Sequence, residues 1–118
     1  MEQDYYRSTV QRRARELQAE LTTDIDWWSD EPLGEAIEQA VQQLVHEVST
    51  QQWHLIETLS QELVARLEEA EAAGRMDEST VTHYEAKLAG LRWSVEKVVE
   101  RTGQQRRADA VARELLNG

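Results

Sequence analysis

The sequence predicts an all-α protein: an elongated helical bundle, or antiparallel αα-hairpin, built on one long central helix, with an N-terminal helix and a short C-terminal helix. Three observations predict this class. The 118 residues include one proline and five glycines, apolar residues recur at spacings of three and four, and no segment alternates as a β-strand does. The length fits a single helical domain over residues 1–118.

The first helix is predicted over residues 4–21. Its apolar side consists of Tyr6, Val10, Ala14, Leu17 and Leu21. The threonines and aspartates that follow favour a turn. Pro32 fits the first turn of the next helix, where its missing N–H costs nothing. In this connector we expect Trp28 to fill the corner between the helices, which leaves Trp27 for a neighbouring helix or a partner.

The second helix is predicted over residues 32–73. No proline or glycine follows Gly34 within it, so it would form a rod of roughly 60 Å at about 1.5 Å per residue. A compact chain of this size has a radius of gyration of only about 13 Å. We therefore favour a continuous rod covered by a second copy, with a break near 49–52 as the alternative. Its apolar side is Leu33, Ile37, Val41, Leu44, Val48, Leu55, Leu59, Leu63, Leu67 and Ala70.

The third and fourth helices are predicted over residues 78–102 and 104–116. Gly74 suits the left-handed end of a helix and Asp77 can cap the next one, so the turn between them predicts an antiparallel hairpin. Val81, Tyr84, Leu88, Leu91, Val95 and Val98 form a heptad seam on the third helix. Gly103 is expected to end that helix, and a short final helix then carries Ala108, Val111, Ala112 and Leu115 on one side.

A second face of the third helix is the main candidate binding surface. Trp93 lies opposite the heptad seam, with the small residues Ala86, Ala89 and Gly90 beside it. Small residues around one large ring allow another helix to approach closely. Either the N-terminal helix of the same chain or a second subunit could cover this face. Trp93, its small neighbours and Trp27 are therefore the predicted protein-binding residues.

Composition excludes several classes of protein. The chain has no cysteine, which rules out disulfides and thiolate metal sites. Its N-terminal region has no apolar stretch typical of a signal peptide, and no run is long enough to span a membrane. The net charge of -10 argues against direct nucleic-acid binding, which needs a basic surface. We expect a cytoplasmic protein without membrane contact.

The sequence offers no catalytic chemistry, and we expect no catalytic residues, metal or cofactor. The glycines are isolated, so no phosphate-binding loop is present. His46 and His54 would lie about 12 Å apart along a continuous helix, too far to share a metal ion. The glutamates near the end of the second helix are expected to form a solvated face. We therefore predict a protein that is not an enzyme.

The leading functional prediction is a homodimeric protein–protein interaction module that binds or regulates a partner protein. The alternative is a nucleic-acid mimic. Residues 24–80 carry fourteen acidic side chains and two arginines, and such a rod resembles, in size and charge, small phage or plasmid inhibitors such as anti-CRISPR proteins and antitoxin-like regulators. A basic partner surface would then meet an acidic face formed by Glu47, Glu57, Glu62, Glu68, Glu69 and Glu71.

Overall fold

The described residues of the computed structural model, 2–117 for the backbone and 5–104 with 106–116 for the side chains, form four α-helices and one 3₁₀ turn. Met1 and Gly118, which the predicted domain included, lie outside them. The helices are α1 (Glu2–Ile25), α2 (Pro32–Ser49), α3 (Trp53–Ala72) and α4 (Glu78–Asn117), with the 3₁₀ turn at Asp26–Trp28. The predicted all-α class is confirmed.

The helices run up, down, up and down, so that each packs against its two neighbours in the bundle. The packed pairs are α1 with α2, α2 with α3, α3 with α4, and α4 with α1. The molecule measures 65 × 22 × 20 Å, because α4 continues past the other three helices. Among the described residues, no helix is long and apolar enough to cross a membrane.

The preference for one continuous helix over 32–73 was wrong, and the alternative break near 49–52 is what the structure contains. Gln51 has a φ of 60°, a left-handed conformation that residues other than glycine, asparagine and aspartate rarely adopt. Ser49 and Thr50 hydroxyls donate hydrogen bonds to the His46 carbonyl oxygen and so close the end of α2. Folding back buries both apolar stripes within one chain, which outweighs about 1–2 kcal/mol of left-handed strain.

This break also changes which residues of α3 face the core. Leu55 was placed on the apolar stripe, but it is exposed, and Ile56 is fully buried in its place. The other predicted core residues of α3 are buried as expected, namely Leu59, Leu63, Leu67 and Ala70. A helix that restarts at Trp53 has its own rotation about its axis, so the stripe cannot be extrapolated across the turn.

Two helix ends also lie beyond their predicted positions. α1 continues to Ile25, because Ile25 is fully buried and the Thr23 hydroxyl donates to the Ala19 carbonyl oxygen instead of forming a turn. α4 continues through Gly103, where the prediction placed a helix end. A single glycine inside a helix costs only about 1 kcal/mol, less than the hydrogen bonds a break would remove. The long helix of this fold is therefore α4.

The bundle has two different ends. The closed end holds the α1–α2 connector and the α3–α4 turn, residues 26–31 and 73–77. Gly74 there has a φ of 74°, and the Thr80 N–H donates to the Asp77 carboxylate at 2.9 Å, so both features predicted for this turn are confirmed. The open end holds the start of α1 and the α2–α3 turn, and α4 leaves the bundle there.

Candidate interaction surface

An aromatic patch, formed by Tyr5, Tyr6 and Trp93, lies on the α1–α4 side of the open end. α1 and α4 run antiparallel, which brings the first turns of α1 beside the middle of α4. The rings of Tyr6 and Trp93 pack edge to face with their centres 6.2 Å apart, and the rings of Tyr5 and Tyr6 do the same with their centres 5.4 Å apart. Tyr5 is 65% exposed and Trp93 is 48% exposed, so a second surface can reach both rings.

Two cationic side chains lie over the rings of this patch. The Lys97 ammonium lies 5.5 Å from the centre of the Trp93 ring, and the Arg101 guanidinium lies 5.7 Å from the centre of the Tyr6 ring. Such contacts stabilise an exposed pair by about 0.5–1 kcal/mol and more when water is excluded. A partner that covered the patch would therefore strengthen contacts that already exist.

The small residues near Trp93 are divided between α1 and solvent. Arg13 of α1 donates hydrogen bonds to the Gly90 carbonyl oxygen at 2.7 Å and to the Ser94 hydroxyl oxygen at 2.8 Å. Its guanidinium would lie 3.4 Å from a Cβ at position 90, so α1 of the same chain fills the space that the glycine leaves. Ala86 and Ala89 stay exposed. The binding role of these residues stays a prediction.

The C-terminal extension, residues 104–116 of α4, projects beyond the bundle. Every side chain described in it is exposed. Val111 is 55% exposed, and Leu115 and Leu116 are more exposed still. Ala108, Val111, Ala112 and Leu115 share one side of the helix, as the sequence predicted for a separate short helix. The extension therefore has one apolar face, and the other helices of the described chain do not pack on it.

Trp27 lies at the closed end of the bundle, whereas Trp93 lies toward the open end. It is 66% exposed, while its neighbour Trp28 is 0% exposed. The Arg75 guanidinium lies 5.3 Å from the centre of the Trp27 ring and bonds the Glu31 carboxylate at 2.7 Å. The structure therefore does not bring together the two tryptophans that we predicted as binding residues. Trp27 has an intramolecular contact that ties the connector to the α3–α4 turn.

Charge is divided between the two sides of the bundle. Residues 26–77, which contain α2 and α3, include twelve acidic residues and two arginines, whereas α1 and α4 together include eleven acidic and eleven basic residues. The whole net charge of -10 therefore belongs to the α2–α3 side. The residues of the predicted acidic face lie there, and two of them form ion pairs, Glu57 with Arg92 and Glu69 with Arg66.

The surroundings of Glu20, Asp77 and Tyr84 shift the pKa values of these side chains. Hydrogen bonding from Lys87 and His83 of α4 holds the pKa of the Glu20 carboxyl on α1 below its usual value. Hydrogen bonds from Thr80 and Ser79 lower the pKa of the capping Asp77. Burial, together with a hydrogen bond to the Asp24 carboxylate, raises the pKa of the Tyr84 hydroxyl. Each of these groups joins helices or caps one.

A groove of about 350 Å³ lies between α3 and α4 near the open end. Its apolar walls are Trp53, Ile56, Val95 and Val99, and the Glu57–Arg92 ion pair lines it too. The sequence reasoning missed this groove because it exists only where α3 starts anew after the break. The signal available in the sequence was Val99, an apolar residue that follows the seam residue Val95 by one helical turn.

The break also removes one argument made from the sequence about metal binding. The separation of His46 from His54 assumed a continuous helix, whereas these residues lie near the end of α2 and the start of α3. Within the part of the chain that the structure describes, no group of three or more histidine or acidic side chains comes close enough to hold a metal ion.

Tyr5 is the residue of the patch that the sequence reasoning did not select. It stands directly before Tyr6, and adjacent residues on a helix point in different directions. Tyr6 faces the core in part and Tyr5 faces solvent, so the two adjacent tyrosines were the signal in the sequence that one ring would be exposed.

Comparison of the chain with protein-family models, with curated proteins and with solved structures finds no match.

Proposed function

We propose that this protein is a non-enzymatic protein–protein interaction module that forms a homodimer and, in that form, binds or regulates a partner protein. The observation that carries the proposal is the C-terminal extension, which presents Val111 and Leu115 to solvent on the side of α4 that also carries the half-exposed Trp93. Exposed apolar patches on a protein surface mark sites of interaction with other molecules. A cytoplasmic location, expected from the sequence, is part of this proposal.

The length of the extension supports the same interpretation. Thirteen residues of isolated helix are marginal in water, because most helical stability in proteins comes from packing of an apolar face. Here that face has no packing partner within the described chain. A second protein surface would supply the missing contacts and keep the extension helical.

The oligomeric state tests this proposal directly. Sedimentation equilibrium between about 1 and 200 μM, the range of reversible association, would measure the mass of the full chain in solution. We expect the mass to rise with concentration from 13.6 kDa to twice that value. A constant mass of 13.6 kDa over the whole range would reject the homodimer.

The uneven charge favours a second candidate function, an acidic nucleic-acid mimic that occupies the basic groove of a nucleic-acid-binding protein. Its supporting observation is that the α2–α3 side carries the whole net charge. Glu62, Glu68 and Glu69 are exposed along α3, so one face of the bundle presents closely spaced carboxylates. This candidate does not need the C-terminal extension.

Competition with duplex DNA would test the mimic. The probe is a basic DNA-binding protein carrying a fluorescent duplex. A mimic should displace the duplex at low salt and lose this ability steeply as salt rises, because exposed charges are screened beyond about 8–10 Å at ordinary ionic strength. Glu62→Gln with Glu68→Gln should abolish displacement, whereas Glu16→Gln with Glu96→Gln, which are also exposed but belong to α1 and α4, should not. Equal loss in both double variants would argue against a mimic.

A further inference from the structure

We propose that two copies of this chain pair through α4, antiparallel and with a two-fold axis beside Gln104, so that the C-terminal extension of each copy covers the aromatic patch of the other. This inference rests on the homodimer proposed above and specifies its interface. It follows from the spacing of residues on one side of α4, from their exposure and from the position of charged residues beside them.

One side of α4 carries a continuous stripe, here called the outer stripe. Its members are spaced by three or four residues over more than eight helical turns, so they share a side of the helix. This side differs from the heptad seam that faces the core. The outer stripe consists of Ala86, Gly90, Trp93, Lys97, Glu100, Gln104, Ala108, Val111 and Leu115. It therefore joins the aromatic patch to the apolar face of the extension.

The positions along the outer stripe are those that self-pairing requires. Trp93 and Leu115 each lie eleven residues from Gln104, about 16 Å along the helix in opposite directions. When two α4 helices run antiparallel with Gln104 opposite itself, Leu115 of each copy meets Trp93 of the other. A two-fold axis repeats every contact, so one match gives two.

The remaining pairs in this register are also compatible. Val111 lies opposite Lys97, whose aliphatic part can cover the valine while its ammonium stays in water. Ala108 lies opposite Glu100, where its small side chain allows close approach. The two Gln104 amides meet at the axis, and a polar pair at one central position is a known way to fix the register of a coiled coil.

Charges beside the stripe favour the same arrangement. Arg107 and Glu100 lie on the same flank of the outer stripe, at about 100° per residue. In the antiparallel register each Arg107 is then placed next to Glu100 of the other copy. Residues 104–116 contain three arginines and two acidic residues. The extension therefore brings positive charge to a protein whose net charge is -10.

The bundle leaves the outer stripe accessible from Trp93 onward. The heptad seam residues Val81 to Val98 face the core and are buried, while Trp93 on the opposite side is half exposed. The paired region covers residues 91–117 of each copy, roughly 39 Å of helix about 10 Å wide. This corresponds to roughly 800 Å² over both copies, less than the roughly 1,200–2,000 Å² of stable complexes. The dimer should therefore be reversible, with a dissociation constant in the micromolar range.

Two matched valines on α4 test the surface. Val111 is 55% exposed on the outer stripe, and Val99 is 50% exposed on the groove side of the same helix. In sedimentation equilibrium, Val111→Gln should raise the dissociation constant at least about tenfold, because each dimer loses two buried valines. Val99→Gln should leave it within about twofold, as expected for a residue outside the interface. Circular dichroism and thermal melting of both variants would show whether the bundle is intact.

Cysteine crosslinking tests the register, since the chain has no cysteine of its own. Gln104→Cys places two thiols at the proposed axis and should form a disulfide dimer quickly under mild oxidation. Ala110→Cys, exposed on another side of the extension, should react slowly. A dimer that forms with unchanged affinity in Val111→Gln, or that crosslinks equally through both cysteines, would overturn the α4 pairing and leave the homodimer standing. A chain that stays monomeric would overturn both.

Discussion

The closed and open ends of the bundle treat their aromatic residues differently. At the closed end, Trp28 is buried in the corner after α1, and Trp27 lies under Arg75, which also bonds Glu31. At the open end, Tyr5 and Trp93 are exposed and α4 continues into solvent. The closed end therefore holds the bundle together, and the open end presents surface to another molecule.

Replacement of Trp28 gives the sharpest test of this division. Trp28→Ala should lower the free energy of unfolding by about 3–5 kcal/mol, because a fully buried ring is removed. Trp27→Ala should cost less than about 1 kcal/mol, since the exposed ring contributes mainly the contact with Arg75. Urea denaturation measures both values. Similar losses in the two variants would show that the exposed ring is as much a part of the corner as the buried one.

Two glycines extend the comparison to the backbone. A Cβ at Gly34 would lie 2.2 Å from the Trp28 carbonyl oxygen, whereas a Cβ at Gly103 would meet nothing within 4 Å. Gly34→Ala should therefore destabilise the protein by about 2–3 kcal/mol through overpacking. Gly103→Ala should stabilise it by about 0.5–1 kcal/mol, because alanine favours a helix interior. Thermal melts with opposite shifts would support the assignment, and a destabilised Gly103→Ala would indicate that α4 bends there.

The Tyr84–Asp24 hydrogen bond near the closed end should depend on pH. Tyr84→Phe should cost about 1 kcal/mol at neutral pH, the net value of one such bond. Burial raises the pKa of Tyr84 in the folded protein, so its contribution is complete below the ordinary value of 10.0 and declines as pH rises above it. Urea denaturation at pH 7 and about pH 10.5 should show the difference from the native protein shrinking. Tyr5→Phe, a change at an exposed ring, is the control.

Substitutions in the α2–α3 turn, at the open end, should change the free energy of unfolding least. Gln51 has a φ of 60°, which glycine adopts without steric cost. Gln51→Gly should therefore stabilise the protein by about 0.5 kcal/mol, the strain relieved less the extra freedom of glycine when unfolded. Gln52→Gly, at a φ of -86°, should instead destabilise it. Chemical denaturation distinguishes the two signs, and a loss of stability in both would show that the turn stores no strain.

The sequence predicted those parts of the fold that depend on periodic burial. The heptad seam of α4 and the α1 stripe from Val10 to Leu21 are buried as expected, because an apolar residue every three or four positions leaves a helix only one face to pack. The turn at Gln51 could not be predicted, since a left-handed glutamine is stable only when packing on both sides of it outweighs local preference. The shift from Leu55 to Ile56 is a consequence of that turn.

The candidate surface was predictable only in part. Trp93 could be placed opposite the heptad seam from spacing alone, but which neighbour covered it depended on where α1 lies. Arg13 settles this for Gly90, and Tyr6 covers one edge of the Trp93 ring. The length of the exposed extension could not be foreseen, because Gly103 was expected to end the helix.

The segregation of acidic residues onto α2 and α3 gives the molecule a large electric dipole moment across its short dimension. On a positively charged matrix, such as an anion-exchange resin, the protein should adsorb through its α2–α3 side. The α1–α4 side, with the aromatic patch and the extension, would then point away from the matrix. Electrostatic immobilisation should therefore present the α1–α4 side to solvent, whereas coupling through Lys87 and Lys97, which both lie on α4, would place that side against the matrix.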